Sequence, residues 1–347
     1  MASLRRILIV SDDRPGHFRQ SEAIALALSR KRSVEIEKVQ VIPRPKPFPR
    51  LGRSLLRRRI GAPSFVLRMV YPDITLPKQA PDLIVSAGGA TLPANVALAR
   101  HYGVPNIFSG SLRNAGATSF AAVLTPYADL EGQPRHLVLP KPSSVDPDQM
   151  GPVNLLNDHE AGAVGPPTGA LLVGGPSGCH TFSAEEWRVL TGLLTARDAG
   201  PFRWLVTNSP RTPAEVSDAL AEAARTSERV IEFVDFREAG PGSVVELLAR
   251  ADFVVCTEDS SSMLVEGICA RRPTIALQPK DRRLTHREEV MLSGLCSRHL
   301  LGELKLEGGL ERDLAGVLKT LKPMVTNHLD DLAEAVERQL AEVALLN

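Results

Sequence analysis

Short runs of apolar residues recur along the chain, and segments of helical length separate many of them. The runs are rich in Val, Ile and Leu without strict alternation, which is typical of parallel strands buried on both faces. They lie at residues 6–10, 34–41, 82–86, 106–110, 121–125, 169–175, 203–208, 230–234, 252–256 and 273–277. Helices are predicted over residues 18–30, 91–102, 183–198, 213–225, 261–271 and 284–297. This alternation predicts an α/β protein with doubly wound sheets.

The stretch from Pro140 to Pro167 breaks the alternation. It is rich in Pro, Gly and Asp, a composition typical of a linker or a long loop. A chain of 347 residues is long enough for two domains. We therefore expect α/β domains of similar size at 1–145 and 168–320, joined by a linker at 146–167. Residues 321–347 include an amphipathic segment, which is expected to form a C-terminal helix that packs back across the domain boundary.

Composition narrows the class of protein. The net charge of +1 gives no general attraction to nucleic acid, and only 4% of residues are aromatic, so single-strand stacking platforms are not expected. The four cysteines form no C-x-x-C pair, which argues against a zinc site or a disulfide framework and fits a reducing compartment. No apolar stretch approaches the ~20 residues that cross a bilayer. We expect a cytoplasmic protein that does not bind nucleic acid.

The segment SDDRPGHFRQ follows the first predicted strand, where open parallel sheets bind ligands. Gly16 completes a tight Pro-Gly turn, so His17 is expected near a helix N-terminus, facing the cleft between the domains. Because histidine ordinarily titrates near neutral pH, His17 is a candidate general base. Asp12 and Asp13 are the next candidates. An aspartate helix cap beside a surface histidine explains the same residues.

Two further loops of the first domain follow predicted strands. Gly88 and Gly89 precede a helix whose amides could receive an anion or a sugar hydroxyl, and a plain strand-to-helix turn is the alternative. Arg113 follows the next strand, where it could pair with a phosphate or carboxylate or form a surface salt bridge.

Three loops of the second domain combine glycine, hydroxyl and basic residues. The loop GGPSGCHTF at 174–182 offers amides suited to a diphosphate, although it is neither a Walker A loop nor G-x-G-x-x-G. The guanidinium of Arg211 matches phosphate oxygens, and serines precede the helix at 261–271, where one could simply be a cap. The candidates are Gly174, Gly175, Ser177, His180, Thr207, Ser209, Arg211, Ser260, Ser261 and Ser262. Three such loops at strand ends predict a nucleotide ligand that carries phosphate.

The segments SDDRPGHFRQS, GGPS, TNSPRTP and TEDSSSMLVEG, followed by RRPTIAL, resemble the mitochondrial fission ELM1 family, whose bacterial members are labelled glycosyltransferases. These matches run from residue 11 to about residue 290 and cover most of the chain. The layout is more distantly similar to GT-B glycosyltransferases such as the peptidoglycan enzyme MurG and the lipid A disaccharide synthase.

The resemblance implies a GT-B-like fold, in which two Rossmann-like domains enclose a cleft. The second domain would hold a nucleotide-sugar through the loops described above, and the first would hold the acceptor. Glu266 matches a carboxylate that binds ribose, and Phe236 ends the segment FVDF, where backbone groups recognise the nucleobase. The acceptor-side residues are Gly16, Gly88, Gly89 and Arg113, with His17 beside the cleft as the base.

Glycosyl transfer releases a nucleoside diphosphate, whose negative charge Arg211 and helix N-terminal amides could stabilise in place of a metal. The only D-x-D, Asp146-Pro147-Asp148, lies in the predicted linker and is interpreted as a turn. We therefore expect no metal and no cofactor, and a donor that is UDP-linked.

The segment 43–63 interleaves basic residues with apolar ones. This pattern is typical of a membrane-surface element, because anionic lipid contributes about 1 kcal/mol for each nearby Lys or Arg. A solvated face or an anionic partner is the alternative. We expect peripheral contact at the inner face of the cytoplasmic membrane and a lipid-linked acceptor, such as a lipopolysaccharide core precursor of the cell envelope.

Three functions follow from these observations. The predicted one is a glycosyltransferase that acts on a glycolipid or a surface polysaccharide. A nucleotide-sugar epimerase of the same fold needs no acceptor and predicts further acids and bases around the sugar. A non-enzymatic adaptor, as in plant ELM1, has no physical need for the glycine, serine and arginine loops.

Overall fold

The computed structural model describes residues 4–346 except residues 78, 114, 153, 155–164, 196–200 and 241. The chain divides into two compact units. The first comprises Met1–Ser144 and His328–Asn347, and the second comprises Val145–Asn327. Compared with the predicted domains, the second unit thus begins at Val145, within the proline-rich stretch and before the predicted linker ends, and the last helix belongs to the first unit.

The first unit is built on a parallel sheet of six strands. The strands are β1 (Arg6–Ser11), β2 (Glu35–Gln40), β3 (Leu83–Ala87), β4 (Asn106–Ser109), β5 (Ala122–Thr125) and β6 (His136–Val138). Their order is β2-β1-β3-β4-β5-β6, with every neighbouring pair parallel. The connecting helices are α1 (Pro15–Ser29), α2 (Phe48–Arg58), α3 (Pro63–Val70) and α4 (Leu92–Tyr102).

Helices cover both faces of this sheet, which explains why the strands are unbroken apolar runs. Ile7 and Ile9 of β1 point to one face and pack with α1, whereas Leu8 and Val10 point to the other and pack with α2, α3 and α4. All four side chains are buried. The short strand β6 and the helices α2 and α3 were not among the predicted elements.

The second unit repeats this plan. Its strands are β7 (Thr168–Leu172), β8 (His180–Thr181), β9 (Arg203–Thr207), β10 (Val230–Val234), β11 (Phe253–Thr257), β12 (Thr274–Gln278), β13 (Asp281–Arg282) and β14 (Leu301–Lys305). Its helices are α5 (Ala184–Thr195), α6 (Ala214–Thr226), α7 (Phe236–Ala239), α8 (Ser243–Arg250), α9 (Ser261–Cys269), α10 (His286–Ser297) and α11 (Leu310–Leu318). The parallel sheet has the order β10-β9-β7-β11-β12-β14, and β8 pairs with β13 in a separate antiparallel ribbon.

The second sheet is also covered on both faces. Helices α5, α6 and α11 pack on one face and α8, α9 and α10 on the other. The predicted α/β class with doubly wound parallel sheets is therefore confirmed. Because all strands of each sheet are parallel, their carboxyl ends lie at one edge, and the loops that follow them can meet there.

The predicted linker is described only in part, and its described residues pack against the second unit. Asn327 Nδ2 donates a hydrogen bond to buried Asp146 at 2.9 Å. The buried guanidinium of Arg272 donates to the carbonyl oxygens of Gly151 and Pro152, both at 2.9 Å. A buried charge needs such acceptors, so Arg272 holds this stretch in place. Residues 153 and 155–164 lie outside the described residues.

A C-terminal helix is present as predicted. This helix, α12, spans His328–Leu346 and belongs to the first unit. Its buried side chains recur at helical spacing and join the core that contains α1: Leu329, Leu332, Val336, Leu340 and Val343. Among the described residues, none of the helices combines the length and hydropathy that a membrane-spanning segment requires.

Candidate functional site

In the second unit, the loops that follow β7, β9 and β11 interlock at the carboxyl edge of the sheet. The amide of Gly174 donates to Thr257 Oγ1 at 2.7 Å, and the amide of Gly175 donates to Asp259 Oδ2 at 3.1 Å. Thr212 Oγ1 donates to the carbonyl oxygen of Gly174 at 2.6 Å. The structure therefore brings together the three loops that the sequence proposes as a nucleotide site.

Arg211 lies at the centre of this cluster. Its guanidinium donates to the carbonyl oxygen of Gly175 and to Ser260 Oγ, each at 3.0 Å, and forms a 2.7 Å ion pair with Asp259. The side chain of Asp259 has no solvent exposure, whereas that of Arg211 is 40% exposed. Asp259 was not a predicted site residue, and its carboxylate compensates much of the positive charge of Arg211.

Two glycines make this interlocking possible. A methyl group on Gly175 would lie 2.0 Å from the backbone oxygen of Arg211, and one on Gly174 would lie 2.3 Å from Asp259 Oδ2. A methyl group on Gly178, three residues after Gly175, would have no other atom within 4 Å. Gly174 and Gly175 thus serve the close packing of loop against loop, whereas Gly178 lies in open space.

Ser177 and His180 belong to a hydrogen-bonded relay on the same loop. His180 Nε2 lies 3.0 Å from Glu258 Oε2, and its Nδ1 lies 3.1 Å from Ser177 Oγ. With the carboxylate as acceptor, Nε2 carries the proton and Nδ1 accepts from the serine hydroxyl. Glu258 also forms an ion pair with Arg282, whose Nε lies 2.9 Å away, and accepts a hydrogen bond from Gln278 Nε2 at 3.2 Å. Glu258 was not a predicted site residue; its side chain is fully buried and, through His180, anchors the exposed Ser177.

The serines at the start of α9 differ in exposure. Ser260 is buried at the N-cap position, Ser261 is half-buried and Ser262 is exposed. Glu266 is buried one turn after Ser262 on the same helix. Ser262 therefore presents its hydroxyl outward at a helix N-terminus, where amide groups favour an anion.

Thr207 and Phe236 are engaged in the fold. Thr207 Oγ1 donates to the carbonyl oxygen of Val234 at 2.9 Å, and Thr207 is buried. The amide of Phe236 donates to Asn208 Oδ1 at 2.6 Å, so this backbone group is already satisfied. Asp235 caps the turn of α7, and hydrogen bonds from Arg237 lower the pKa of its carboxyl to about 2. Asn208, which orders this loop, was not a predicted site residue.

Beside the relay lies a cavity of about 1090 Å³. Its lining combines apolar side chains, such as Phe182 and Leu306, with the charged side chains of Lys280, Arg282 and Lys305. Gln278 and Arg282 both line this cavity; Gln278 donates a hydrogen bond to Glu258 and Arg282 forms an ion pair with it, so the buried carboxylate orients one of its walls. The sequence offered no signal for this cavity, because its walls come from separate strand ends.

In the first unit, His17 and Asp12 form a hydrogen-bonded pair at the carboxyl edge of the sheet. His17 Nδ1 lies 2.9 Å from Asp12 Oδ2, and the Asp12 side chain is 5% exposed. The aspartate thereby fixes the ring so that Nε2 remains the acceptor, the arrangement that a general base needs. Asp13 is directed elsewhere and pairs with Lys38 at 3.0 Å. His17 and Asp12 act together, whereas Asp13 lies apart from them.

The glycines predicted to lie on the acceptor side fall into two groups. A methyl group on Gly88 would lie 2.2 Å from His17 Nδ1, and one on Gly89 would lie 2.5 Å from Arg113 Cζ. Gly88 also has a φ of +86°, which favours glycine. Gly16, in contrast, is exposed in the first turn of α1 with open space around it. Gly88, Gly89, His17 and Arg113 line a cavity of about 220 Å³.

The Asp146-Pro147-Asp148 motif forms a short helical turn. Asp146 accepts the amide of Asp148 at 3.2 Å, and Asn327 Nδ2 donates to both carboxylates. Arg271 lies 3.3 Å from Asp148 Oδ1. The carboxylates thus serve a turn and its packing, and no cluster of three or more potential metal-ligating side chains occurs among the described residues.

Two parallel six-stranded sheets, each with polar loops at its carboxyl edge, define a GT-B-like α/β protein. A sequence profile of the mitochondrial fission ELM1 family matches residues 15–340, so the chain belongs to that family. The resemblance found in the sequence motifs is thereby confirmed. No protein of curated function matches the chain.

Solved structures with a similar fold include a UDP-GlcNAc 2-epimerase and a glycotransferase. The UDP-GlcNAc 2-epimerase from Methanocaldococcus jannaschii aligns over 98% of this chain and 99% of its own, with 12% identity and a TM-score of 0.57. The S. aureus MnaA-UDP co-structure aligns over 99% and 96%, with 11% identity and a TM-score of 0.56. The glycotransferase of kitacinnamycin aligns over 99% and 98%, with 14% identity and a TM-score of 0.53. These similarities confirm the GT-B-like fold.

Proposed function

We propose that this protein is a glycosyltransferase that moves a sugar from a nucleotide-sugar to an acceptor hydroxyl. The observation that carries the proposal is the meeting of three strand-end loops in the second unit. Around the N-terminus of α9 these loops present the exposed Ser177 and Ser262 together with the partly exposed guanidinium of Arg211. Hydroxyl groups, amides and a guanidinium in one place are the donors that bind a diphosphate. That a neighbour of the same fold was solved with UDP supports a UDP-linked donor.

The chemistry divides between the two units. His17 Nε2 takes the proton of the acceptor hydroxyl, whose oxygen then attacks the anomeric carbon while the bond to the diphosphate oxygen breaks. Asp12 stabilises the imidazolium that forms. A guanidinium has five N–H groups, and the described hydrogen bonds of Arg211 use two of them, beside its ion pair with Asp259. The remaining donors can stabilise the leaving diphosphate, so we propose that the reaction needs neither metal nor cofactor.

The cavity of about 1090 Å³ is the proposed room for the donor sugar. It is large enough for a small-molecule ligand, since such pockets typically measure about 300–1,000 Å³. Lys280, Lys305 and Arg282 supply hydrogen-bond donors for sugar hydroxyls, and Phe182 supplies an apolar surface. The relay through Glu258 keeps Arg282 in place.

A nucleotide-sugar epimerase is the second candidate, because several structural neighbours are UDP-GlcNAc 2-epimerases. An epimerase would convert the sugar of its nucleotide-sugar without any acceptor. Incubation of the protein with the bound nucleotide-sugar alone, followed by chromatography of the sugar, separates this reaction from transfer. The adaptor of the plant relatives would neither bind nor convert a nucleotide-sugar.

Calorimetric titration with UDP, GDP, CMP and their sugars is expected to reveal binding of one nucleoside diphosphate. EDTA should leave this binding unchanged, because amides and Arg211 replace a metal. Arg211→Ala should weaken it by about 10–100-fold, since hydrogen bonds between charged groups are lost. Arg188→Ala, which removes an exposed arginine from α5, is the matched control and should bind like the wild type.

Thermal unfolding of each variant verifies that the fold is retained, because Arg211 also compensates Asp259. If no nucleotide binds at millimolar concentration, the transferase and epimerase proposals both fail and the adaptor is favoured. Binding that requires a divalent metal contradicts the proposed metal-free mechanism.

We also propose that the segment 43–63 contacts an anionic membrane surface. Much of it forms α2, and apolar side chains are exposed on and beside that helix: Leu51 is 46%, Ile60 51% and Phe65 58% exposed. Arg57 and Arg58 lie between them in the chain and are exposed as well. Apolar side chains inserted among lipids, with arginines at the headgroups, would support a lipid-linked acceptor at the inner face of the cytoplasmic membrane.

Sedimentation with phosphatidylglycerol vesicles is expected to retain the wild-type protein, more weakly at high salt. The double variant Arg57→Glu, Arg58→Glu should reduce the partition coefficient by about tenfold or more, since each nearby arginine contributes about 1 kcal/mol. The variant Arg298→Glu, Arg312→Glu makes the same charge change on exposed residues of the second unit and should bind like the wild type. Equal loss in both variants would indicate general charge attraction and would contradict a specific membrane surface.

A further inference from the structure

Arg53 and Arg113 are two guanidinium groups of the first unit that lie near each other without an acid to compensate them. Arg53 is half-buried on α2, and Arg113 is exposed after β4. Among the described residues, neither side chain forms an ion pair or a hydrogen bond. The pKa of Arg53 is lowered, first by burial and then by the positive charge of Arg113. Two like charges held together are unfavourable unless an anion joins them.

Consecutive glycines place the guanidinium of Arg113 beside the imidazole of His17. The ring of His17 lies against Gly88, and the guanidinium lies against Gly89, where any larger residue would displace them. The Cα atoms of adjacent residues are about 3.8 Å apart. An anion held by Arg113 would therefore be a close neighbour of the group that His17 deprotonates.

The cavity next to these residues favours an anion. It measures about 220 Å³, and its lining includes His17, Arg113 and Lys141 but no Asp or Glu. It also includes Gly88 and Gly89 of the loop that leads into α4. Since pockets that enclose a whole small molecule measure about 300–1,000 Å³, this one fits a single end of a larger ligand.

We propose that Arg113 binds a phosphate group of the acceptor, next to the hydroxyl that His17 deprotonates, and that the positive charge of Arg53 strengthens this binding. This inference rests on the proposed function and specifies its substrate class: the acceptor is a phosphorylated sugar or a phosphorylated lipid. Two positively charged guanidinium groups match the double charge of a phosphate monoester better than the single charge of a carboxylate. Arg53 belongs to the basic segment 43–63 but is half-buried, whereas its neighbours Arg57 and Arg58 are exposed.

The test is a calorimetric titration of the full-length protein with glucose 1-phosphate in the presence of saturating UDP. Saturation with UDP occupies the donor site, so a phosphate that binds there is displaced and does not contribute. We expect glucose 1-phosphate to bind, and Arg53→Gln and Arg113→Gln each to weaken binding by about tenfold or more. Arg68→Gln removes an exposed arginine of α3 and is the matched control, with wild-type binding expected.

A parallel titration with vesicles identifies the source of the phosphate. Phosphatidic acid carries a phosphate monoester, whereas phosphatidylglycerol carries a diester, so the two are compared at equal surface charge. A preference for phosphatidic acid that Arg113→Gln abolishes indicates a phosphorylated lipid, and binding of glucose 1-phosphate alone indicates a soluble acceptor. Either result supports the site.

The inference fails if a protein that binds UDP binds neither phosphate probe, or if Arg113→Gln binds both as the wild type does. Both results leave the glycosyltransferase proposal intact, because UDP binding is measured in the same samples. Absence of UDP binding would instead contradict the proposed function itself.

Discussion

Gly175→Ala is expected to abolish nucleoside diphosphate binding, with a loss of affinity of about 100-fold or more. The added methyl group would lie 2.0 Å from a backbone oxygen of the next loop, at Arg211. Backbone atoms cannot swing aside as a side chain does, so the two loops must separate. Their separation moves Arg211 away from Ser260 and breaks the hydrogen bond from the Gly175 amide to Asp259. Calorimetric titration with the nucleotide that binds the wild type measures the loss.

Gly178→Ala is the matched control, because it adds the same methyl group to the same loop in open space. It should bind the nucleotide with wild-type affinity, and circular dichroism should show that both variants remain folded. Wild-type binding by Gly175→Ala would mean that the interlocked loops are not the donor site. Equal loss in both variants would point to a general disturbance of the loop.

His17→Ala is expected to lower the rate of sugar transfer by about 10²–10⁴-fold, the range that a general base supplies. Nucleotide affinity should be unchanged, because the donor loops belong to the other unit. Asp12→Asn should also slow transfer, since the amide cannot stabilise a charged imidazole as a carboxylate does. The measurement is the release of nucleoside diphosphate from the bound nucleotide-sugar, with total bacterial lipid as the source of acceptor.

Asp13→Asn tests whether the carboxylate that does not contact His17 takes part in the transfer reaction. The Asp13 carboxylate pairs with Lys38 and not with the histidine, so its loss should leave the transfer rate unchanged. If Asp13→Asn loses activity while His17→Ala retains it, the base has been misassigned. Equal nucleotide affinity in all three variants excludes a loss of the donor site as the cause.

Much of the fold could be predicted from the unbroken apolar runs. Each predicted strand corresponds to an observed one, because Val, Ile and Leu in a short run indicate a strand that helices cover on both faces. Strands β6 and β14 were missed, since their residues are partly exposed and their runs are interrupted by polar ones. Helices α2 and α3 were missed because arginines and prolines obscure the apolar side that packs on the core.

The position of the candidate site could be predicted from the strand ends. The side-chain contacts between its loops could not be predicted. That the three loops meet follows from parallel strands sharing an edge, so Gly174, Arg211 and Ser260 could be grouped in advance. That Asp259 pairs with Arg211 depends on side-chain direction within a loop, which the pattern of residues does not specify. Likewise the contact of Gly89 with Arg113 joins residues from two separate loops.

The position of α12 has a consequence for the order in which the protein is made. The second unit is one continuous segment, so all of its residues leave the ribosome before His328 does. The first unit needs α12 to cover Ile24 and Leu28 of α1, and those side chains stay open to water until residues 328–346 have been synthesised. The half of the protein that begins first is therefore completed last, and during that interval its exposed apolar surface is where a chaperone would bind.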